Sequence, residues 1–201
     1  MSSRRKSRLK RAGKNELAPA DIVDGLSKEE LLTTHLDWQP DRLEALKGLL
    51  DAKEPWPEHW HWDWSKKAGL LDFMAYRCIG IECEGRMQGL MMASTLARSS
   101  RVGPTGRAVL YVEYIESAPW NLKDLVDEPK FSGVGIALLE AAIELSGEEG
   151  FGGRIALHSL PQSEAFYRKY MTDMGPDQSH EGLRYFEMSA DQARLFLEGR
   201  K

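Results

Sequence analysis

Lys130-Phe131-Ser132-Gly133-Val134-Gly135-Ile136 places a glycine pair where a strand-like segment gives way to a helix. Downstream, Ile136, Leu139, Ala142, Ile143 and Leu145 recur at helical spacing, and Gly147 begins the helix end. The first backbone N–H groups of a helix lack intrahelical partners, and the macrodipole adds about half a positive charge there. Glycines let an anion approach the main chain with no Cβ in the way, so the loop reads as a diphosphate cradle. Lys130 is placed to add a cation, and the Ser132 hydroxyl can donate. A bare Gly-x-Gly is also common turn punctuation. It is not a P-loop, because no Gly-Lys-Ser/Thr follows. Nor is it a dinucleotide fingerprint, which needs a third glycine near Leu138.

Upstream, Val109-Leu110-Tyr111-Val112-Glu113-Tyr114-Ile115-Glu116 is β-branched or aromatic at nearly every uncharged position, which predicts a buried central strand. Residues 74–83 and 87–96 read as two more strands, joined by Glu84-Gly85-Arg86 in a tight hairpin. A loop with Gly103-Pro104 and Gly106 then leads to the central strand. Further strands are expected at 154–158 and 183–188, with helices at 161–170 and 190–199. In the first quarter, Ser27 and Glu30 form a capping box, and Pro40 is read as opening a second helix carrying Leu43, Leu46, Leu49 and Leu50. From Pro57, Trp60, Trp64, Ala68 and Leu71 fall on one helical face, either packed on a sheet or walling an acceptor pocket. His59 and His61, two apart on such a helix, do not suggest a metal site. Cys78 and Cys83, an odd number apart on one strand, point to opposite faces and cannot pair.

The net charge of −4 is unevenly spread: residues 1–14 hold seven of the 27 Lys and Arg and none of the 31 Asp and Glu. Residues 1–20 therefore read as a basic, disordered arm, with RNA or another polyanion as its alternative partner. Residues 21–201 read as one domain. No apolar run approaches the roughly 20 residues of a spanning helix, and no secretory core opens the chain, so a cytoplasmic protein without membrane contact is expected.

Residues 74–189 resemble the GNAT family of acyl-CoA N-acyltransferases. Lys130-Phe131-Ser132-Gly133-Val134-Gly135 is similar to the family's Gln/Arg-x-x-Gly-x-Gly/Ala pyrophosphate motif, with lysine in the first place. Ser117-Ala118-Pro119 resembles its valine-x-proline strand exit, and Phe166-Tyr167 its aromatic-tyrosine pair. The chain departs from the pattern in the residues inserted between Asn121 and Lys130, in Leu160 where the family often has asparagine, and in the late Gly175.

The resemblance implies a mixed α/β fold with a central, largely antiparallel sheet flanked by helices, here preceded by a helical N-terminal region. It implies acetyl-CoA or another acyl-CoA as co-substrate, no metal, and direct transfer to a primary amine of unknown size; a homodimer is compatible with it. Cofactor contacts fall on Ile115, Ser117, Lys130, Phe131, Ser132, Gly133, Val134, Gly135 and Ile136. Glu113 and Glu116 are the candidate bases, with Glu113 slightly preferred, and each is alternatively an arginine partner, of Arg77 or Arg154 for example. Tyr167 is the candidate acid for the thiolate, and His158 a second base or a satisfied core histidine. The rival reading is a non-catalytic acyl-CoA-binding or regulatory module, or an RNA-associated protein using the arm.

Overall fold

The computed structural model describes residues 2–103 and 106–199; Pro104 of the expected glycine-rich loop lies outside them. The elements in chain order are β1 (Ser3–Arg11), β2 (Leu17–Asp24), α1 (Lys28–Ala52), α2 (Trp64–Lys67), β3 (Tyr76–Cys83), β4 (Arg86–Ser99), β5 (Ala108–Ser117), β6 (Phe131–Ser132), α3 (Val134–Glu148), β7 (Ile155–Ser159), α4 (Glu164–Tyr167), β8 (Thr172–Pro176), β9 (Arg184–Met188) and α5 (Ala190–Glu198). The strands form a mostly antiparallel sheet in the order β6-β1-β2-β3-β4-β5-β7-β9-β8, with β5 and β7 parallel. The mixed α/β class expected from sequence is the class observed. The chain divides into two compact units, residues 1–91 with 115–138 and residues 92–114 with 139–201.

The first unit corrects the reading of residues 1–20. They do not trail as an arm: β1 pairs along its length with β2, from Ser3 opposite Asp24 to Lys10 opposite Leu17. The sequence hid this because Arg4 and Arg11 are answered by Glu82 and Glu84, more than 70 positions on. Arg4 meets Glu82 at 3.0 Å, Lys6 meets Asp21 at 3.0 Å, and Arg11 pairs with Glu16 and Glu84. Leu9, with Ala18, Ala20, Ile22 and Val23 of β2, is buried. Strands therefore precede the helical region.

α1 runs unbroken for 25 residues through Pro40, with the Ser27–Glu30 capping box formed. Leu31, Thr34, Trp38, Arg42 and Leu46 are buried at helical spacing, and that shared face carries the helix past the proline. Of the leucines that suggested a separate helix, Leu46 joins this face, whereas Leu43 and Leu50 stay 62% and 63% exposed. The helix expected from Pro57 is also broken up. The Asp63 carboxylate caps the Ser65 and Lys66 amides and starts α2 at Trp64, while Trp60 lies outside any helix and is 46% exposed.

In the second unit, the register of β5 and β7 runs from Leu110–Ile155 to Val112–Leu157 and stops there, so Glu113 onward is off that ladder. Val109, Tyr111, Ala156 and Tyr185 cluster in its core. The expected helix at 161–170 is short, a 3-10 turn at Pro161–Ser163 followed by α4. Between that helix and the expected strand at 183–188, Thr172–Pro176 forms the edge strand β8. Cys78 and Cys83 are both buried and free. Among the described residues, no helix is long and apolar enough to cross a membrane.

Candidate functional site

α3 begins its own hydrogen-bond ladder with Ala137 N–H donating to the Gly133 carbonyl at 2.9 Å. The amides of Val134, Gly135 and Ile136 fall before that first bond, in the turn that has no intrahelical acceptor. Gly133 has φ +85°, a conformation L-residues rarely adopt, and a Cβ there would meet nothing within 4 Å. The loop thus turns into the helix with an open face. The start of the helix lies on β4 at Gly89, where a Cβ would approach the Val134 side chain to 2.5 Å.

The loop is held by residues that motif reading did not single out. Gln88 accepts from Trp120 Nε1 at 2.8 Å and from Asn121 Nδ2 at 3.0 Å. The Asn121 side-chain oxygen then accepts from Phe131 N–H at 3.0 Å, and Lys130 N–H donates to the Trp120 carbonyl at 3.0 Å. These bonds close residues 122–129 into a loop whose ends are fixed to β4. The only sequence signal was local, Asn121 lying just after a strand exit.

A cavity of about 730 Å³ opens beside this loop. Ser117, Asn121, Phe131, Ser132, Gly133, Val134 and Gly135 form one side of it. Lys10, Gly13, Lys14 and Asn15 of the β1–β2 hairpin, with Lys123, contribute the rest of its polar lining. Of the residues expected to contact a cofactor, Ser117 and Phe131–Gly135 are therefore brought together. Ile115 and Ile136 do not line the cavity, and neither does Lys130. The Lys130 ammonium lies 5.4 Å from the Trp120 ring centre, on a neighbouring depression that Asp127 and Glu128 share. Its backbone is fixed on both sides, by the Trp120 carbonyl and by Ala12 N–H. The cations around the cavity come instead from Lys10, Lys14 and Lys123.

The two candidate bases differ sharply. Glu116 is buried and both of its oxygens are engaged, Oε1 by Arg42 Nη2 at 2.7 Å and Oε2 by Trp64 Nε1 at 2.6 Å. Burial pushes its carboxyl up to about 7, against the pull of Arg42. Arg42 also donates from Nη1 to the Trp62 carbonyl at 2.6 Å, so the pair ties α1 and the tryptophan-rich segment to β5. Glu113 is half-buried, 3.3 Å from Arg98 Nη2, and burial raises its carboxyl against the influence of Arg98. The arginine partners are thus Arg42 and Arg98, not Arg77, which pairs with Asp24, or Arg154, which donates to the Ala108 carbonyl. Arg42 lies 74 positions from Glu116, so its number gave no hint of that pairing.

His59 Nε2 lies 3.6 Å from Glu116 Oε1, and burial, helped by Arg42, pushes the imidazole down to about 4. Unfolded, this histidine takes its proton near pH 6.5; folded, it resists until about pH 4. The stability it confers is thus complete above pH 6.5 and is lost as pH falls toward 4. Glu116 has the opposite slope, its raised folded value favouring the fold below its ordinary range and disfavouring it as pH rises through 7. The two oppose each other in the wild type. His59→Gln should therefore gain about 2 kcal/mol on the wild type between pH 7.5 and pH 5 in urea denaturation, and parallel curves would refute the assignment.

Tyr167 lies in the second unit, closing α4, packed at 5.8 Å on Phe186, with its phenol pushed up by burial. His158 is a satisfied histidine: the Tyr111 hydroxyl meets its Nδ1 at 2.5 Å, Asp177 Oδ2 lies 3.3 Å from Nε2, and His180 stacks on it at 3.8 Å. His158, Asp177 and His180 offer ligand atoms within 4.8 Å of one another. Arg101, at 2.9 Å from Asp177, already supplies a cation to that carboxylate.

No protein-family model matches the sequence, and no curated protein does. Among solved structures, the chain is similar to the PaiA N-acetyltransferase of Thermoplasma acidophilum in complex with coenzyme A, at 14% identity, 84% of this chain, 98% of that one and a TM-score of 0.53. It is also similar to a bacterial toxin, at 15% identity, 70% and 80% coverage and a TM-score of 0.51. A GNAT-family acetyltransferase of Listeria monocytogenes aligns at 13% identity over 90% and 98% of the two chains, with a TM-score of 0.48. At this level of identity the likeness is one of fold: the chain has the fold of the PaiA N-acetyltransferase.

Proposed function

We propose that this chain transfers an acetyl or other short acyl group from acyl-CoA to a primary amine, by direct attack within a ternary complex. The observation that carries the reading is the cavity at the start of α3, where an open glycine turn, a free first helical turn and three lysines meet without a carboxylate. That combination suits a diphosphate. Ser117, on the same cavity, ends the strand along which the thioester arm would lie, and the end of the β5–β7 register after Val112 supports a splayed strand there. A main-chain N–H on the thioester oxygen would stabilise developing charge by about 3 kcal/mol in comparable sites.

In this reading the amine nitrogen forms its bond to the acyl carbon, the carbon–sulfur bond breaks, and the amine proton leaves to a base. Glu113 takes that role, directly or through water, because its carboxyl is raised and not sealed. Glu116, with both oxygens engaged, is a positioning residue. Tyr167, its phenol held protonated by burial, returns a proton to the departing thiolate. Arg4, Lys6 and Arg11 of β1 are answered by acids within the fold, which disfavours an extended polyanion along that strand.

Release of free thiol from acetyl-CoA should depend on adding a primary amine from a panel of polyamines, amino acid amides and lysine peptides. Binding of acetyl-CoA with no thiol release for any amine would replace this reading with a non-catalytic acyl-CoA-binding module.

A further inference from the structure

Three lysines surround the cavity at α3, yet its lining contains no aspartate or glutamate, in a chain of net charge −4. Elsewhere on β1, three of the cations, Arg4, Lys6 and Arg11, have carboxylate partners. Among the described residues, Lys10, Lys14 and Lys123 have none. Lys14 also borders the depression of Asp127 and Glu128, and Lys123 one that holds Asp124; on the cavity they share with Lys10 no acid faces them, and an anion entering there relieves the repulsion among the three.

The hairpin is also locked to the glycine loop. Lys10 sits opposite Ser132 and Arg11 opposite Phe131 in an antiparallel ladder, and Ala12 N–H donates to the Lys130 carbonyl at 3.0 Å. The two cations of the hairpin are thereby carried at a set distance from the start of α3, although they lie more than 115 residues away in sequence. A diphosphate is already served by the amides and the dipole of that helix turn. The lysines provide for more negative charge than a diphosphate alone presents.

We propose that the β1–β2 hairpin, through Lys10 and Lys14 and assisted by Lys123, forms a phosphomonoester subsite that grips the 3′-phosphate on the adenosine ribose of acyl-CoA. The inference rests on the acyl-CoA reading above and goes beyond it by naming a second phosphate site and the segment that builds it. A phosphomonoester carries about −1.5 to −2 charge at neutral pH and accepts from several donors at once, which suits two or three ammonium groups better than one.

Titration calorimetry of the full chain with coenzyme A and with 3′-dephospho-coenzyme A tests it. The wild type should bind coenzyme A about tenfold or more tightly than the dephospho form, as expected for charge-assisted hydrogen bonds. Lys10→Gln with Lys14→Gln should shrink that ratio to about twofold or less, by weakening coenzyme A alone. Equal wild-type affinities would overturn the subsite and leave the acyl-CoA reading standing. Loss of both ligands in equal measure in the double variant would assign the lysines to the diphosphate and also overturn it. Binding of neither ligand to the wild type would overturn both readings. Should the double variant fail to fold, the wild-type ratio decides, with Lys123→Gln as the second probe.

Discussion

Gly135→Trp should abolish acetyl-CoA binding, with a loss of about 100-fold or more in calorimetry, while thermal unfolding stays close to that of the wild type. Gly135 lies in the first turn of α3 and on the wall of the cavity. Its φ is not among the positive values, so a side chain is compatible with the backbone. Glycine is a poor helix former, and replacing it there costs the helix nothing in propensity, about 0.5 kcal/mol being gained if anything. An indole at that point occupies the space where a diphosphate would meet the amides. Gly135→Ala, adding one methyl, should weaken binding far less. Equal affinities for wild type and the tryptophan variant would remove the site from this loop.

The second large effect concerns Arg42 and Glu116. Replacing either with alanine should destabilise the fold by about 3–5 kcal/mol in urea denaturation, because the remaining charge is left buried without its partner. Replacing both, Arg42→Met with Glu116→Leu, should recover most of that loss, since a buried pair often stabilises no more than an apolar pair of similar volume. A loss below about 1 kcal/mol in each single variant would mean that the pair is hydrated and not sealed. The double variant separates scaffold from chemistry: a folded protein that still releases thiol from acetyl-CoA with an amine keeps Glu116 in a positioning role.

Much of this was legible in the chain itself, where local chemistry dictated it. The Glu84-Gly85 turn, the apolar run of β5 and the glycine turn into α3 each carry their geometry within a few residues, and each appears where expected. Pro40 misled because a helix boundary was inferred from a local rule, while burial of Trp38 and Arg42 on either side overrode it. The basic residues at the start misled for a related reason. Charge runs read as solvated when their partners are unseen, and Glu82 and Glu84 lie on a hairpin some 70 positions on. Lys130 was assigned by motif spacing alone, and only its contact with the Trp120 ring reveals where it points. Glu113 and Glu116 were correctly placed on one strand, but their arginines could not be named without tertiary structure.

The two-residue pairing of Lys10 and Arg11 with Ser132 and Phe131 bears on how the protein should be handled. Trimming the first 14 residues as a dispensable charged leader would strip one wall from the cavity at α3 and expose the edge of β2. A bulky affinity tag fused ahead of Ser2 would load the same strand. Reagents made that way would not give a fair test of the proposed acyl-CoA binding, so assays belong on the full chain with any tag at the other end.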